Sequence, residues 1–238
     1  MDSKPKPIYL FADSQLLFWH DELGLFLESL TRHLGEGSPK AAYIGASNDD
    51  DPVFYQLFRD AMAQIQVRDC RMILKSYSEE DAAFVEQAKV ILLAGGDVMK
   101  GWEIFERTGL VEVIRRRYLD GALLIGISAG AIQLGRFCWP ETFSSADDLT
   151  ESLRLVPCII SVHETNDWPV LTKAVEVISG DVVGIGIPTG GGAIYFADQS
   201  LEAIRHSLFT FTKHDGTITR SLLMPNRSAV EMESVAEN

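Results

Sequence analysis

The sequence predicts an α/β protein built in three layers, with a mostly parallel central sheet held between helices. Three observations carry this prediction. Short apolar runs alternate with stretches of helical period along most of the chain. The runs are apolar almost throughout instead of alternating with polar residues, as suits strands buried on both faces. One run, Ala122–Ile127, enters Gly126-Ile127-Ser128-Ala129-Gly130, a sharp strand-to-helix turn between small residues.

Ile8–Phe11 is the first strand. His20 follows inside a stretch read as an amphipathic helix. Ala41–Gly45 is the second strand. Asp51-Pro52 then supplies a cap and a proline at the first helical position, and Phe54, Leu57, Phe58, Ala61, Met62 and Ile65 form one apolar stripe. After the strand Met72–Leu74, Ser78 and Asp81 resemble a capping box opening a helix that runs to Ala88. Val90–Ala94 is the next strand. Leu110, Val113, Ile114 and Tyr118 make a second stripe, beside which Arg115, Arg116 and Arg117 read as a solvated face. Beyond the turn at Ser128 the texture changes. Ile159–Val162, Val182–Ile187, Ala193–Ala197 and Leu208–Thr212 read as strands, with one helix near Val170–Ile178. The sheet is therefore expected to be extended by further strands, some antiparallel. Residues 1–224 read as a single domain and 225–238 as a polar, flexible tail.

Of 238 residues, 46% are hydrophobic and 23% charged, enough apolar material for a sizeable core. The net charge of −13 argues against nucleic acid and anionic membranes as partners. No apolar run reaches 18 residues, and Ile8-Tyr-Leu-Phe11 is too short for a signal-peptide core, so a cytoplasmic location is expected. Cys70, Cys138 and Cys158 are widely spaced in apolar contexts and read as buried free thiols.

Chemistry concentrates at three places. At the turn, small flanking residues permit a strained conformation that lifts the Ser128 hydroxyl clear of the sheet, and the following helix aims its positive end at the reacting centre. His163 ends the buried run Cys158-Ile-Ile-Ser-Val162. Since ligands bind at the carboxyl ends of strands in a parallel sheet, His163 and Ser128 share one edge. Leu92-Leu-Ala-Gly95-Gly96-Asp97 runs from a strand into a Gly-Gly turn, whose free amides can join that of Ala129 in an oxyanion hole. His163, Glu164 and Asp167 do not make a convincing metal set, and neither metal nor cofactor is expected.

Taken together, Leu92-Leu-Ala-Gly-Gly-Asp97, Gly121-Ala-Leu-Leu-Ile-Gly-Ile-Ser-Ala-Gly-Ala131 and Ser161-Val-His163-Glu-Thr-Asn166 resemble peptidase family S51, the aspartyl dipeptidases (peptidase E) and cyanophycinases. Ala42-Tyr-Ile-Gly-Ala46 and Val183-Gly-Ile-Gly-Ile-Pro188 fall where that family has strands, and the resemblance spans residues 8 to 215. It implies the class I glutamine-amidotransferase-like (flavodoxin-like) fold. It also implies metal-free cleavage at aspartyl or β-aspartyl bonds, with Ser128 as nucleophile, His163 as base, and Gly96 and Ala129 as oxyanion donors.

The chain departs from the family at the acid that orients the histidine. Where some members carry a glutamate, this chain reads Pro188-Thr189-Gly190. Where others carry an aspartate, Glu141 is closest in spacing, with Asp147 the second candidate. Asp97, Arg136 and Thr189 are the candidates for substrate contact. The expected activity is that of a serine peptidase on short peptides through an acyl-enzyme, with a small peptide as substrate and a second copy of the chain as partner. Besides a phosphate or nucleotide binder using Gly190-Gly-Gly192, a loop without the GxGxxG spacing and a following helix, two alternatives stay open. One is a noncatalytic binding or regulatory protein on the same scaffold, favoured by the missing acid. The other is an α/β-hydrolase-type esterase using Asp198 with His206 or His214.

Overall fold

The buried apolar runs pair with one another because only a parallel sheet covered on both faces satisfies their backbone groups while hiding both rows of side chains. In the computed structural model, which describes residues 5–165 and 167–226, the chain begins with β1 (Ile8–Phe11). A small hairpin, β2 (His20–Asp21) and β3 (Gly24–Leu25), comes next, then β4 (Lys40–Ile44), α1 (Pro52–Gln64), β5 (Asp69–Ile73), α2 (Glu79–Val85) and β6 (Ala88–Leu93). Then come α3 (Val98–Thr108), α4 (Leu110–Leu119), β7 (Leu123–Ile127), the short α5 (Ala129–Leu134) and a ribbon of β8 (Phe137–Cys138) with β9 (Thr150–Glu151). The chain closes with β10 (Ile159–Val162), α6 (Pro169–Val177), β11 (Val182–Ile187), β12 (Gly192–Tyr195), β13 (Leu201–Ile204), β14 (Leu208–His214) and β15 (Thr217–Leu223).

The central sheet has seven strands in the order β13-β12-β1-β7-β6-β4-β5. Its five strands from β1 to β5 are parallel, while β12 and β13 add antiparallel at one edge. Successive residues of a strand serve opposite faces. Tyr9 and Phe11 join Tyr43, Phe58, Leu92 and Ile125 on one face, and Ile8 and Leu10 join Ile44, Leu93, Leu124 and Leu134 on the other. The predicted mostly parallel, doubly covered sheet is the observed one.

The second half differs from the expectation of one extended sheet. β12 and β13 do extend it, but β10, β11, β14 and β15 form a separate four-stranded sheet in that order. Apolar runs show that strands pair, not with which partner. The elbow helix α5 lies between the two sheets, packed against β7 on one side and β10 on the other, and all six of its residues are buried. Strands β13 and β15 had no clear signal: β15 is a mostly exposed edge strand of polar residues, without the apolar run that marks a buried one.

Three local readings are corrected. His20 lies in the exposed β2–β3 hairpin, not a helix, because Gly24 at φ 124 breaks the segment and 3₁₀ turns follow. Helix α2 stops at Val85, and Ala88 starts β6 beside Lys40. Of the three arginines, Arg117 is buried and donates to the carbonyls of Val85 (3.1 Å) and Ala88 (2.9 Å), closing the exit of α2. Asp51 caps α1, and Ser78 with Asp81 forms the capping box, as read. The three thiols are free, Cys138 buried and the others half-buried; burial pushes Cys138 up to about 12. The expected tail falls outside the described residues from 227 onward, while Pro225 bridges Ala203. Among the described residues no helix is long and apolar enough to cross a membrane.

Candidate active site

The site is built where β7 turns into α5. Ser128 stands between them at φ 50 and ψ −110, a region that L-residues rarely occupy. The flanking glycines do a different job from the one read in the sequence. Neither takes a positive φ. Each is required for close approach: a Cβ on Gly126 would lie 2.6 Å from the Gly130 carbonyl oxygen, and one on Gly130 would lie 2.1 Å from that of Leu93. The missing side chains let α5 sink onto β6 and β7, and the strain falls on Ser128. Its own N–H donates to Phe11 O at 2.9 Å, carrying the β1–β7 pairing to the end of the strand.

His163 follows the carboxyl end of β10. Its N–H donates to Ile187 O at 2.9 Å, and its φ of 43 turns the chain sharply there. This brings Nε2 within 2.9 Å of Ser128 Oγ. The serine belongs to the central sheet and the histidine to the four-stranded one, so the contact joins two sheets. Glu164 does not orient the histidine. It accepts from the Ser161 hydroxyl and from the amides of Val170 and Leu171, fastening the start of α6.

The Gly95–Gly96 turn faces Ser128. Gly96 has φ 133, and a Cβ there would lie 2.1 Å from Ser47 O, so only glycine fits. The amides of Gly96 and Ala129 make no hydrogen bond among the described residues, so both are free to donate to a ligand. Gln133, fully buried on α5, donates from Nε2 to Val98 O (2.9 Å) and Ser47 Oγ (3.2 Å), tying the elbow helix to the start of α3 just past the Gly-Gly turn and to the segment after β4 on which Gly96 packs. A lone glutamine in the apolar run Ala129–Leu134 was the signal for this role.

The acid candidates do not reach the histidine. Glu141 and Asp147 are exposed in the loop of the β8–β9 ribbon. That ribbon is anchored at the amino end of β10, where Arg136 N–H meets Cys158 O at 2.8 Å, whereas His163 follows the other end. Thr189 is exposed in the turn from Pro188 to Gly191 and carries no described side-chain bond. Among the described residues His163 has no second polar side-chain partner. The substrate candidates separate likewise. Asp97 caps α3 through Lys100 N at 3.0 Å. Arg136 lies over the Phe137 ring and lines another recess with Asp181 and His214. His214 pairs with Asp181 at 2.8 Å, and neither it nor His206 lines the cavity at Ser128, which removes the geometric basis of the α/β-hydrolase alternative.

A cavity of about 260 Å³ opens beside Ser128 and His163, between the carboxyl ends of the central strands and α1. Leu17, Tyr43, Phe54, Leu57, Phe58 and Leu92 line it. Asn48 Nδ2 donates to Tyr43 Oη at 2.8 Å, and burial pushes the Tyr43 phenol up to about 12, so it is uncharged at neutral pH. Asp13 also lines the cavity. Its carboxylate accepts from Gly190 N (2.6 Å) and Gln15 N (2.8 Å). Asp13 was missed in the sequence, although it stands just past the carboxyl end of β1, where the strand-end rule points. No group of three His, Cys, Asp or Glu side chains gathers to hold a metal among the described residues.

The chain is similar to known proteins. The sequence model of peptidase family S51 matches residues 12–204. A cyanophycinase of Trichormus variabilis is 27% identical over 195 residues, covering 74% of this chain and 65% of that protein. One of Thermosynechococcus vestitus is 26% identical over 176 residues, covering 68% and 54%. The chain thus spans just under two thirds of the length of the first cyanophycinases it matches, and less of others. The crystal structure of a peptidase from an acI-B1 Actinobacterium aligns with a TM-score of 0.70 at 17% identity, over 94% of this chain and 96% of that one. A putative peptidase E protein from Listeria monocytogenes aligns with a TM-score of 0.56 at 16% identity, over 92% and 99%. These two likenesses carry the flavodoxin-like fold.

Proposed function

We propose that this chain, which belongs to peptidase family S51, hydrolyses short peptides as a serine peptidase through an acyl-enzyme. The observation that carries the reading is the 2.9 Å contact between Ser128 Oγ and His163 Nε2 at a strained elbow. Ser128 Oγ attacks the scissile carbonyl as His163 Nε2 takes its proton. The amides of Gly96 and Ala129 receive the developing oxyanion, and His163 then passes the proton to the leaving amine. Water enters, His163 takes a proton from it, and the acyl group leaves as the acid while Ser128 regains its hydrogen.

Two features stand in for an orienting acid. The backbone bond from His163 to Ile187 and the positive φ of His163 fix where the ring begins. Neither supplies a charge to stabilise the imidazolium, so turnover is slow compared with a complete triad, whose acid contributes about 10⁴. The resemblance implies aspartyl or β-aspartyl bonds. Among the described residues no lysine or arginine lines the cavity to receive such a carboxylate, so the substrate assigned is a short peptide with no aspartyl requirement. The noncatalytic reading is favoured by one observation, the absence of a described acid beside His163.

Labelling with a fluorophosphonate separates the two. A catalytic Ser128 is phosphonylated, the label maps to its peptide by mass spectrometry, and Ser128→Ala loses both label and peptide hydrolysis. An unlabelled Ser128 in folded protein overturns the acyl-enzyme reading.

A further inference from the structure

Away from Ser128 and the Gly95–Gly96 turn the walls of the cavity are mostly hydrocarbon, and the polar side chains deepest in it are paired. Tyr43 and Asn48 bond to each other, and the Asn48 carbonyl oxygen accepts from Asp51 N at 3.3 Å. Among the described residues Asp13 is the one carboxylate that lines the cavity. Among the described residues no lysine or arginine lines the cavity: Lys75 and Lys100 pair with Asp49, and Arg205, the cation beside Asp13, lies against Gln15 Oε1 and Gly190 O at 3.4 Å. Phe54 lines the cavity yet keeps 47% of its surface exposed, on a helix whose next-turn residues Phe58 and Ala61 are fully buried. A large apolar side chain left wet at the mouth of an apolar cavity is a surface waiting for an apolar occupant.

Resting on the assignment of Ser128 as nucleophile, we infer that this cavity is the specificity pocket for the acyl residue, and that it accepts an aliphatic or aromatic side chain and rejects an acidic one. The side chain of the residue whose carbonyl Ser128 attacks enters between Leu17, Leu57 and Phe58 and covers Phe54. An aspartyl side chain there loses its water, finds no cation in the lining, and meets the carboxylate of Asp13; all three oppose it. Burial of a leucyl or phenylalanyl side chain favours the transition state by roughly 10- to 100-fold over an exposed one.

The test compares kcat/KM for Phe-Ala, Leu-Ala, Asp-Ala and β-Asp-Ala dipeptides on the full chain, with fluorophosphonate labelling of Ser128 run in parallel. The expected result is labelled Ser128 and at least about 10-fold preference for the phenylalanyl or leucyl substrate over both aspartyl ones. Leu57→Arg, which sets a cation in the cavity wall, narrows that preference by about 10-fold or reverses it. Phe54→Arg, at an exposed helix position, repeats the measurement if Leu57→Arg does not fold by circular dichroism. Labelled Ser128 with equal or better aspartyl cleavage overturns the pocket assignment and leaves the nucleophile standing. A preference unchanged in a folded arginine variant also overturns it, by locating selectivity elsewhere. No label and no hydrolysis of any dipeptide overturns both.

Discussion

Ser128 and His163 both sit at positive φ, at 50 and 43, and a strained residue of this kind costs of order 1–3 kcal/mol. The surrounding hydrogen bonds and the tight glycine contacts hold that strain in place. It has a measurable signature at Ser128. Glycine relaxes the conformation and alanine does not, so Ser128→Gly is expected to be more stable than Ser128→Ala by about 1 kcal/mol in urea titrations. Both variants are inactive on peptides if Ser128 is the nucleophile. At His163, substitution by alanine is expected to remove hydrolysis, while His206→Ala and His214→Ala retain it, as assayed on any cleaved dipeptide. Thr189 stands two residues beyond Ile187, whose carbonyl holds the histidine backbone. Thr189→Glu is therefore expected to raise kcat, by an amount bounded near the orienting-acid effect of about 10⁴. A fall in kcat would mean that the turn does not face the histidine.

At the scale of elements, the fit of α5 onto β6 and β7 is decisive. Gly130→Ala drives a Cβ into the Leu93 carbonyl, so the helix must lift; the expected loss is about 2–4 kcal/mol of stability together with most activity, read by thermal melts and dipeptide hydrolysis. Gln133→Leu removes the tie between α5 and the Gly-Gly turn. It is expected to cost about 1–3 kcal/mol and to lower kcat more than it raises KM, because it loosens the oxyanion amides. Much of this was legible in the sequence. β1, β10 and β11 have the predicted bounds because each is a short run of apolar and small residues whose burial on both faces suits a covered sheet. His163 was legible because it ends such a run. The cavity was not legible. Phe54, Leu57 and Phe58 share one helical stripe, and the period that marks a core face cannot tell which end of that face lines a cavity. Nor could spacing decide whether Glu141 returns to His163; that depended on the β8–β9 ribbon anchoring at the far end of β10.

At the scale of the whole molecule, burial of the thiols couples folding to pH. Cys70 and Cys158 are pushed up to about 11 and Cys138 to about 12. The folded chain therefore keeps protons that the unfolded chain releases near pH 9. The stability tied to them is full below pH 9 and is lost as pH rises through 11. Tm is expected to hold between pH 7 and 8 and to fall above pH 9, with a shallower fall in Cys138→Ala, measured by calorimetry. At pH 7 the same burial makes the thiols slow toward iodoacetamide until the protein is unfolded.

The serine and the histidine come from different sheets, with α5 as the filling between them. No single sheet contains a working pair. On the proposed mechanism hydrolysis therefore reports tertiary registry, not secondary structure: a slip of about 1 Å between the layers would part Oγ from Nε2 while every strand stayed paired. As denaturant rises, catalysis should disappear before the far-ultraviolet dichroism changes. The chain then works as its own gauge, falling silent as soon as its two halves lose alignment.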